Sequence, residues 1–224
     1  MRLIYTTFLL YCILPNTYAT TIQPGSLVIS EVMANPSQVS DANGEWIEIF
    51  NATANTIDIN GITLSDDGSN THQINNNGTL LIASGAYFVL GRNGDSTVNG
   101  GYIADYVYDN FTLSNSTDQI ILTMDSVEIT RLDYSGSPFG IAGISAELIA
   151  QTSNPTNLDY QLSQNNRYGL GDIGTPGSHG SFILTVHSPV PIPNALWLFT
   201  SAILLLVKSV KIGKQVNLQP SSPS

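Results

Sequence analysis

Gly44-Glu45-Trp46-Ile47-Glu48-Ile49-Phe50-Asn51 is the stretch on which the fold turns. Ile47 and Ile49 share one face of it and Glu48 takes the other. That period of two is the signature of a β-strand buried on one side. Ile47 is therefore expected in a core, Glu48 in water and Glu45 at the strand end. On that reading Glu31, Glu45 and Glu48 do not act together, because Glu45 and Glu48 lie on opposite faces of one strand. Upstream, Leu27-Val-Ile-Ser-Glu-Val-Met33 reads as the preceding strand. Downstream, Ile57-Asp58-Ile59 and Ile62-Thr63-Leu64 flank Asn60-Gly61, a strong turn pair. Leu80-Leu81-Ile82, Tyr87-Phe88-Val89-Leu90 and Tyr106-Val107-Tyr108 continue the series. Ile120, Leu122 and Met124 share a face, and Asp125-Ser126 turns the chain back into Val127-Glu-Ile-Thr-Arg-Leu132 as a hairpin. No stretch keeps a 3.6-residue period long enough for a helix. Many short strands with Gly and Asn in the turns predict an all-β fold, a sandwich or a barrel. Residues 142–181, with Gly169, Gly171, Gly174, Pro176 and Gly177, read as a loop wrapping an edge of it.

The two ends of the chain carry different signals. Met1-Arg2, an apolar run and Thr17-Tyr18-Ala19 have the layout of a secretory signal peptide cut after Ala19 by signal peptidase. At the other end, Val190-Pro191-Ile192-Pro193 precedes the apolar run Ala195-Leu-Trp-Leu-Phe-Thr-Ser-Ala-Ile-Leu-Leu-Leu-Val207. Lys208, Lys211 and Lys214 follow, the only lysines of the chain. The run is shorter than the roughly 20 residues of a relaxed membrane span, so snorkelling lysine stems are needed to complete it. The expected organisation is a signal peptide at 1–19, a β-sandwich at 22–183 and a proline-containing spacer at 184–193. A membrane-seeking segment at 194–214 and a polar tail at 215–224 complete it.

Charge and cysteine usage narrow the function classes. All 17 acidic residues fall between Glu31 and Asp172, where only Arg92, Arg131 and Arg167 oppose them, so this part carries −14. Such a surface repels phosphate backbones, and nucleic acid is not an expected partner. Cys12 is the only cysteine and lies within the signal peptide. A disulfide, a thiolate metal site and a cysteine nucleophile are therefore not expected in the mature chain.

Candidate chemistry is sparse. His72, His179 and His187 show no metal spacing. Gly136-Ser137-Pro138-Phe139-Gly140 does not place its serine as a nucleophile elbow would. The acidic turns Asp41-Ala-Asn43-Gly-Glu45 and Asp66-Asp67-Gly-Ser-Asn70 supply the oxygen ligands that calcium prefers, without the twelve-residue calcium-loop pattern. Asp41, Asn43, Glu45, Asp66 and Asp67 are the candidate ligands, and no other cofactor is implied. Asn-x-Ser/Thr sequons occur at Asn51, Asn77, Asn110 and Asn115.

Three of these motifs together carry a resemblance. Leu27-Val-Ile-Ser-Glu-Val-Met-Ala-Asn-Pro36, Gly44-Glu-Trp-Ile-Glu-Ile-Phe-Asn51 and Ile57-Asp-Ile-Asn-Gly-Ile-Thr-Leu-Ser-Asp66 resemble the start of a bacterial lamin-tail domain. Ala86-Tyr-Phe-Val-Leu90, Ser145-Ala-Glu-Leu-Ile149 and Gly174-Thr-Pro-Gly177 are similar to its later motifs. The resemblance spans residues 22–181 and implies an immunoglobulin-like β-sandwich. The tail, through Pro191, Pro193, Trp197 and the lysine cluster, resembles a PEP-CTERM sorting signal, with Ile192 where that family has glutamate. This second resemblance implies processing by an exosortase-like enzyme in the membrane of a Gram-negative bacterium. The expected function is a secreted, envelope-anchored, non-catalytic β-sandwich with a structural, adhesive or protein-binding role toward an extracellular protein or polysaccharide. A permanently anchored type I membrane protein and an accessory module for an extracellular hydrolase are the alternatives.

Overall fold

The computed structural model describes residues 22–187 except Asn165. Ala19, Pro191, Pro193, Trp197, Lys208, Lys211 and Lys214 lie outside the described residues, as do the signal peptide and the sorting segment.

Twelve short strands form among the described residues, nine of them where apolar residues at a two-residue period place them. Thr71–Gln73 carries no such period, and two more form within residues 142–181, against the expectation of a loop there, because three-residue strands are too short for a period to register. The twelve are β1 (Leu27–Met33), β2 (Trp46–Asn51), β3 (Ile57–Asp58), β4 (Thr63–Ser65), β5 (Thr71–Gln73), β6 (Leu81–Ile82), β7 (Tyr87–Gly91), β8 (Tyr106–Val107), β9 (Thr117–Met124), β10 (Val127–Ser135), β11 (Ala146–Leu148) and β12 (Tyr160–Leu162). One helical turn at Asp41–Gly44 and one 3-10 turn at Asn157–Asp159 are the helical elements described. A six-stranded sheet runs β12-β11-β1-β2-β7-β8, and a four-stranded sheet runs β10-β9-β4-β5. All pairs are antiparallel except β7–β8. This is the sheet-rich, all-β architecture expected of an immunoglobulin-like sandwich.

The core lies between the two sheets. Ile29, Ile47 and Ile49 from the six-stranded sheet join Leu64, Ile120, Leu122 and Leu132 from the other, all fully buried. With no cysteine among residues 22–187, burial of this apolar surface is the main stabilising term. The Asp125-Ser126 hairpin forms as read: Met124 pairs with Val127, and both turn residues take positive φ, 49° and 66°. A two-residue loop with both residues left-handed matches the twist of the flanking strands.

Asn60-Gly61 also turns the chain, with Gly61 at φ 95°. It does not close a hairpin, however. β3 pairs with β6, while β4 pairs with β5 and β9, so the turn passes the chain from one sheet to another. Asn51 is fully buried, and its amide donates to Asn55 O, Ile82 O and Ala83 O at 2.8–3.1 Å. Its sequon is thus a structural bracket, closed to modification in the folded state.

Candidate functional site

Antiparallel register places three carboxylates in a row on the outward face of the six-stranded sheet. Glu48 on β2 stands opposite Glu31 on β1, and Glu31 stands opposite Glu147 on β11. Like charges in directly opposed positions are destabilising. Here none of the three is in water: their exposures are 1% for Glu31, 1% for Glu48 and 2% for Glu147. The expectation of a solvent-facing Glu48 is therefore wrong. Alternation assigned its face correctly but could not show that residues 174–181 lie over that face as a strap. The expectation that Glu31 and Glu48 act separately fails for a related reason. The alternation argument concerned one strand, and the pairing runs across two.

The strap is shaped by its own sequence. Thr175-Pro176-Gly177-Ser178 is a β-turn closed by Ser178 N–H donating to Thr175 O at 2.9 Å, with Gly177 at φ 87°. Proline at the second position and a left-handed glycine at the third fit a type II turn. The turn aims main-chain donors at the carboxylates. Thr175 N–H donates to Glu31 Oε1 at 2.9 Å, and Gly177 N–H to Glu48 Oε2 at 2.7 Å. Ser181 N–H reaches Glu147 Oε2 at 3.3 Å. Hydroxyls complete the shells. Ser145 and Thr175 donate to Glu31, Ser30 to Glu48 and Ser181 to Glu147, while the Ser163 hydroxyl bridges Glu31 Oε1 and Glu147 Oε2 at 3.0 and 2.9 Å. Close contact needs missing side chains: a Cβ on Gly180 would lie 2.5 Å from Glu147 Oε2, and one on Gly174 2.8 Å from Ser145 Oγ.

Hydroxyl and amide donors favour carboxylate anions, while burial disfavours them. Burial wins at Glu31, whose carboxyl is held above its ordinary range. It wins further at Glu48, pushed well up by desolvation and then by the charge of Glu31. The row is thus a shelf whose oxygens are engaged in holding the strap, with burial opposing charge at Glu31 and Glu48.

Glu45 belongs to a different assembly. Its carboxylate accepts from Arg92 Nη1 at 3.1 Å and from Leu113 N–H at 3.2 Å, and desolvation pushes it up to about 7. The Tyr102 hydroxyl caps Asn43 O and Glu45 O, each at 3.2 Å. Trp46 Nε1–H donates to the Tyr168 hydroxyl at 3.1 Å and completes a buried aromatic plug with Met33, Val89 and Tyr102.

The calcium candidates are committed elsewhere. Asp41 accepts from the Asn115 amide at 3.0 Å, and Asn43 from the Asn93 amide at 3.0 Å. Asp66 caps its own turn at Gly68 N–H and Asn70 N–H, and Asp67 pairs with Arg131. Among the described residues no group of three or more His, Cys, Asp or Glu side chains is placed to hold a metal ion. The His72 ring meets Asp109 Oδ1 at 2.7 Å and the Tyr106 hydroxyl at 3.0 Å. No serine, threonine or cysteine side chain among the described residues hydrogen-bonds a histidine.

Family comparison fits this geometry. The lamin tail domain family matches residues 20–136, just over half of the chain. The chain belongs to the lamin tail domain family. Glu31 and Glu48 fall inside the matched residues. Glu147 and the strap lie beyond them, so the lamin tail match ends before the cover over the shelf. No curated protein matches the chain, and no solved structure does. No helix among the described residues is long and apolar enough to cross a membrane.

Proposed function

We propose that this lamin-tail sandwich is a non-catalytic, secreted module, displayed at the cell envelope with a structural or adhesive role. The observation that carries the reading is the use of the polar side chains. The conspicuous carboxylates, Glu31, Glu45, Glu48 and Glu147, are buried and bound to the protein's own donors. They hold the domain together and present no open acid–base pair to a substrate. The acidic surface suits a basic or neutral extracellular partner better than a polyanion.

The N-terminal signal and the proline-led tail support export, processing by signal peptidase and an exosortase-like enzyme, and membrane contact through residues 194–214. Calcium has no part in this reading. The test is envelope fractionation and intact mass of the mature protein from its native host. Export predicts an N-terminus at Thr20, and sorting predicts a C-terminus near Pro193. A chain intact through Ser224 in the membrane fraction would replace sorting with a permanent type I anchor. A chain retaining Met1 in the cytoplasm would overturn the proposal.

A further inference from the structure

We propose that β12 is a self-association edge, through which two copies of this chain join their six-stranded sheets across a two-fold axis. Strand β12 is the terminal strand of that sheet and pairs only with β11. Ser163 N–H donates to Ser145 O at 2.9 Å, and Ile149 N–H to Asp159 O at 2.8 Å. Residues 159, 161 and 163 therefore turn their main-chain groups toward β11. Antiparallel alternation then turns those of Tyr160 and Leu162 outward. Among the described residues nothing pairs with them on that side. A groove of about 730 Å³ runs along this edge, bounded by Pro138, Ile144 and Ile173.

Exposed strand edges are normally guarded by charge, proline or a covering segment. The edge of the four-stranded sheet is guarded by charge and by a covering segment: Glu128, Arg131 and Asp133 lie along β10, and Ser135 N–H is taken by the Asn157 side chain at 3.1 Å. The β12 groove has no charged residue in its lining. That contrast identifies the occupant. Over most of its surface this domain, at −14, repels a copy of itself. The groove lining along β12 adds no charge to that repulsion, so like can pair with like there.

The geometry fixes the register. Only residues with outward main-chain groups can exchange both hydrogen bonds, and the two-fold register that uses both such residues of β12 pairs Tyr160 with Leu162 of the second copy, and Leu162 with its Tyr160. Gln161 then faces its own counterpart on the axis as a non-hydrogen-bonded pair. Cα atoms in such pairs lie about 4.5 Å apart, within the range a disulfide spans.

The experiment uses the full-length chain carrying Cys12→Ser, which leaves no other cysteine, in mild detergent. Adding Gln161→Cys should give a disulfide-linked dimer on oxidation, whereas Asp133→Cys on the guarded edge should stay monomeric. Sedimentation of the chain with its native Gln161 should show a dimer that grows with concentration. Leu162→Lys, which places a cation beside the axis in each copy, should weaken association by about tenfold or more, about 1.4 kcal/mol. The proposal is overturned if Gln161→Cys cross-links no faster than Asp133→Cys. It is overturned equally if the chain is monomeric up to millimolar concentration, or if Leu162→Lys leaves association unchanged.

Discussion

Replacing Glu48 by glutamine or by alanine separates the two roles its carboxyl can play. In the folded protein Oε1 accepts from the Ser30 hydroxyl at 2.7 Å, and Oε2 accepts from Gly177 N–H at 2.7 Å. Glutamine keeps one oxygen for Gly177 N–H, and its amide can donate to Ser30 Oγ once that hydroxyl rotates. It also removes a group whose charged form is opposed by burial and by Glu31. Alanine leaves the Gly177 amide and the Ser30 hydroxyl buried without this acceptor, at about 1–3 kcal/mol each, and opens a void. Relief of the buried charge offsets part of that, leaving a net loss of about 3 kcal/mol. For a domain of this size that is about 6–12 °C in Tm.

The pH dependence adds a sign. A carboxyl raised in the folded state holds its proton better there, so its contribution is fully present below the unfolded value near 4.5 and is lost as pH rises through the folded value. Glutamine stays neutral throughout. Thermal unfolding at pH 5 and pH 8 should therefore place Glu48→Gln level with the parent at pH 5 and above it at pH 8. Glu48→Ala should melt lowest at pH 5. Equal losses for Gln and Ala, or a parent more stable at pH 8 than at pH 5, would refute the account of the shelf.

Ile47→Asp, at a fully buried core position, should cost about 4–5 kcal/mol or more, read as loss of the cooperative urea transition. Glu45→Gln should flatten the fall in urea midpoint between pH 4.5 and about 7, the window set by its raised carboxyl; an unchanged slope would mean that Glu45 titrates normally. Gly180→Ala should loosen the strap, since the new Cβ meets Glu147 Oε2 at 2.5 Å. Amide exchange at residues 175–181 should rise while that of β9 and β10 holds. The domain should give no gel shift with duplex DNA at physiological salt, given its −14 charge.

Strand positions were legible wherever one face meets the core, as at Ile47 and Ile49 or Ile120 and Leu122. The β9–β10 hairpin was legible down to its turn residues. The shelf was not, for a physical reason. Alternation reports which face a side chain takes, whereas the cover over that face comes from a segment more than a hundred residues away. A signal was nevertheless present. Central strands β1 and β2 carry Val28, Met33, Trp46 and Phe50 besides their core-facing residues, too apolar a set for a face left in water. Thr175-Pro176-Gly177-Ser178 announced a tight turn, and Ser145, Ser163 and Ser181 supply hydroxyls without announcing what they bind. β11 and β12 are three residues each, too short for periodicity to register. Asn60-Gly61 was legible as a turn and no further, because a turn pair specifies the bend and leaves open which sheet receives the next strand.

The order in which the strap is fastened decides how the domain answers a pull. His187 N–H is held by Ala52 O at 2.6 Å, Thr185 N–H by the Gln151 side chain at 2.8 Å, then Ser181 by Glu147, Gly177 by Glu48 and Thr175 by Glu31. Tension applied beyond His187 meets these clasps in turn, never all at once. A seam loaded this way opens like a zip, at far lower force than strands sheared along their length. The strap would therefore come away first and pay out chain, sparing the sandwich behind it.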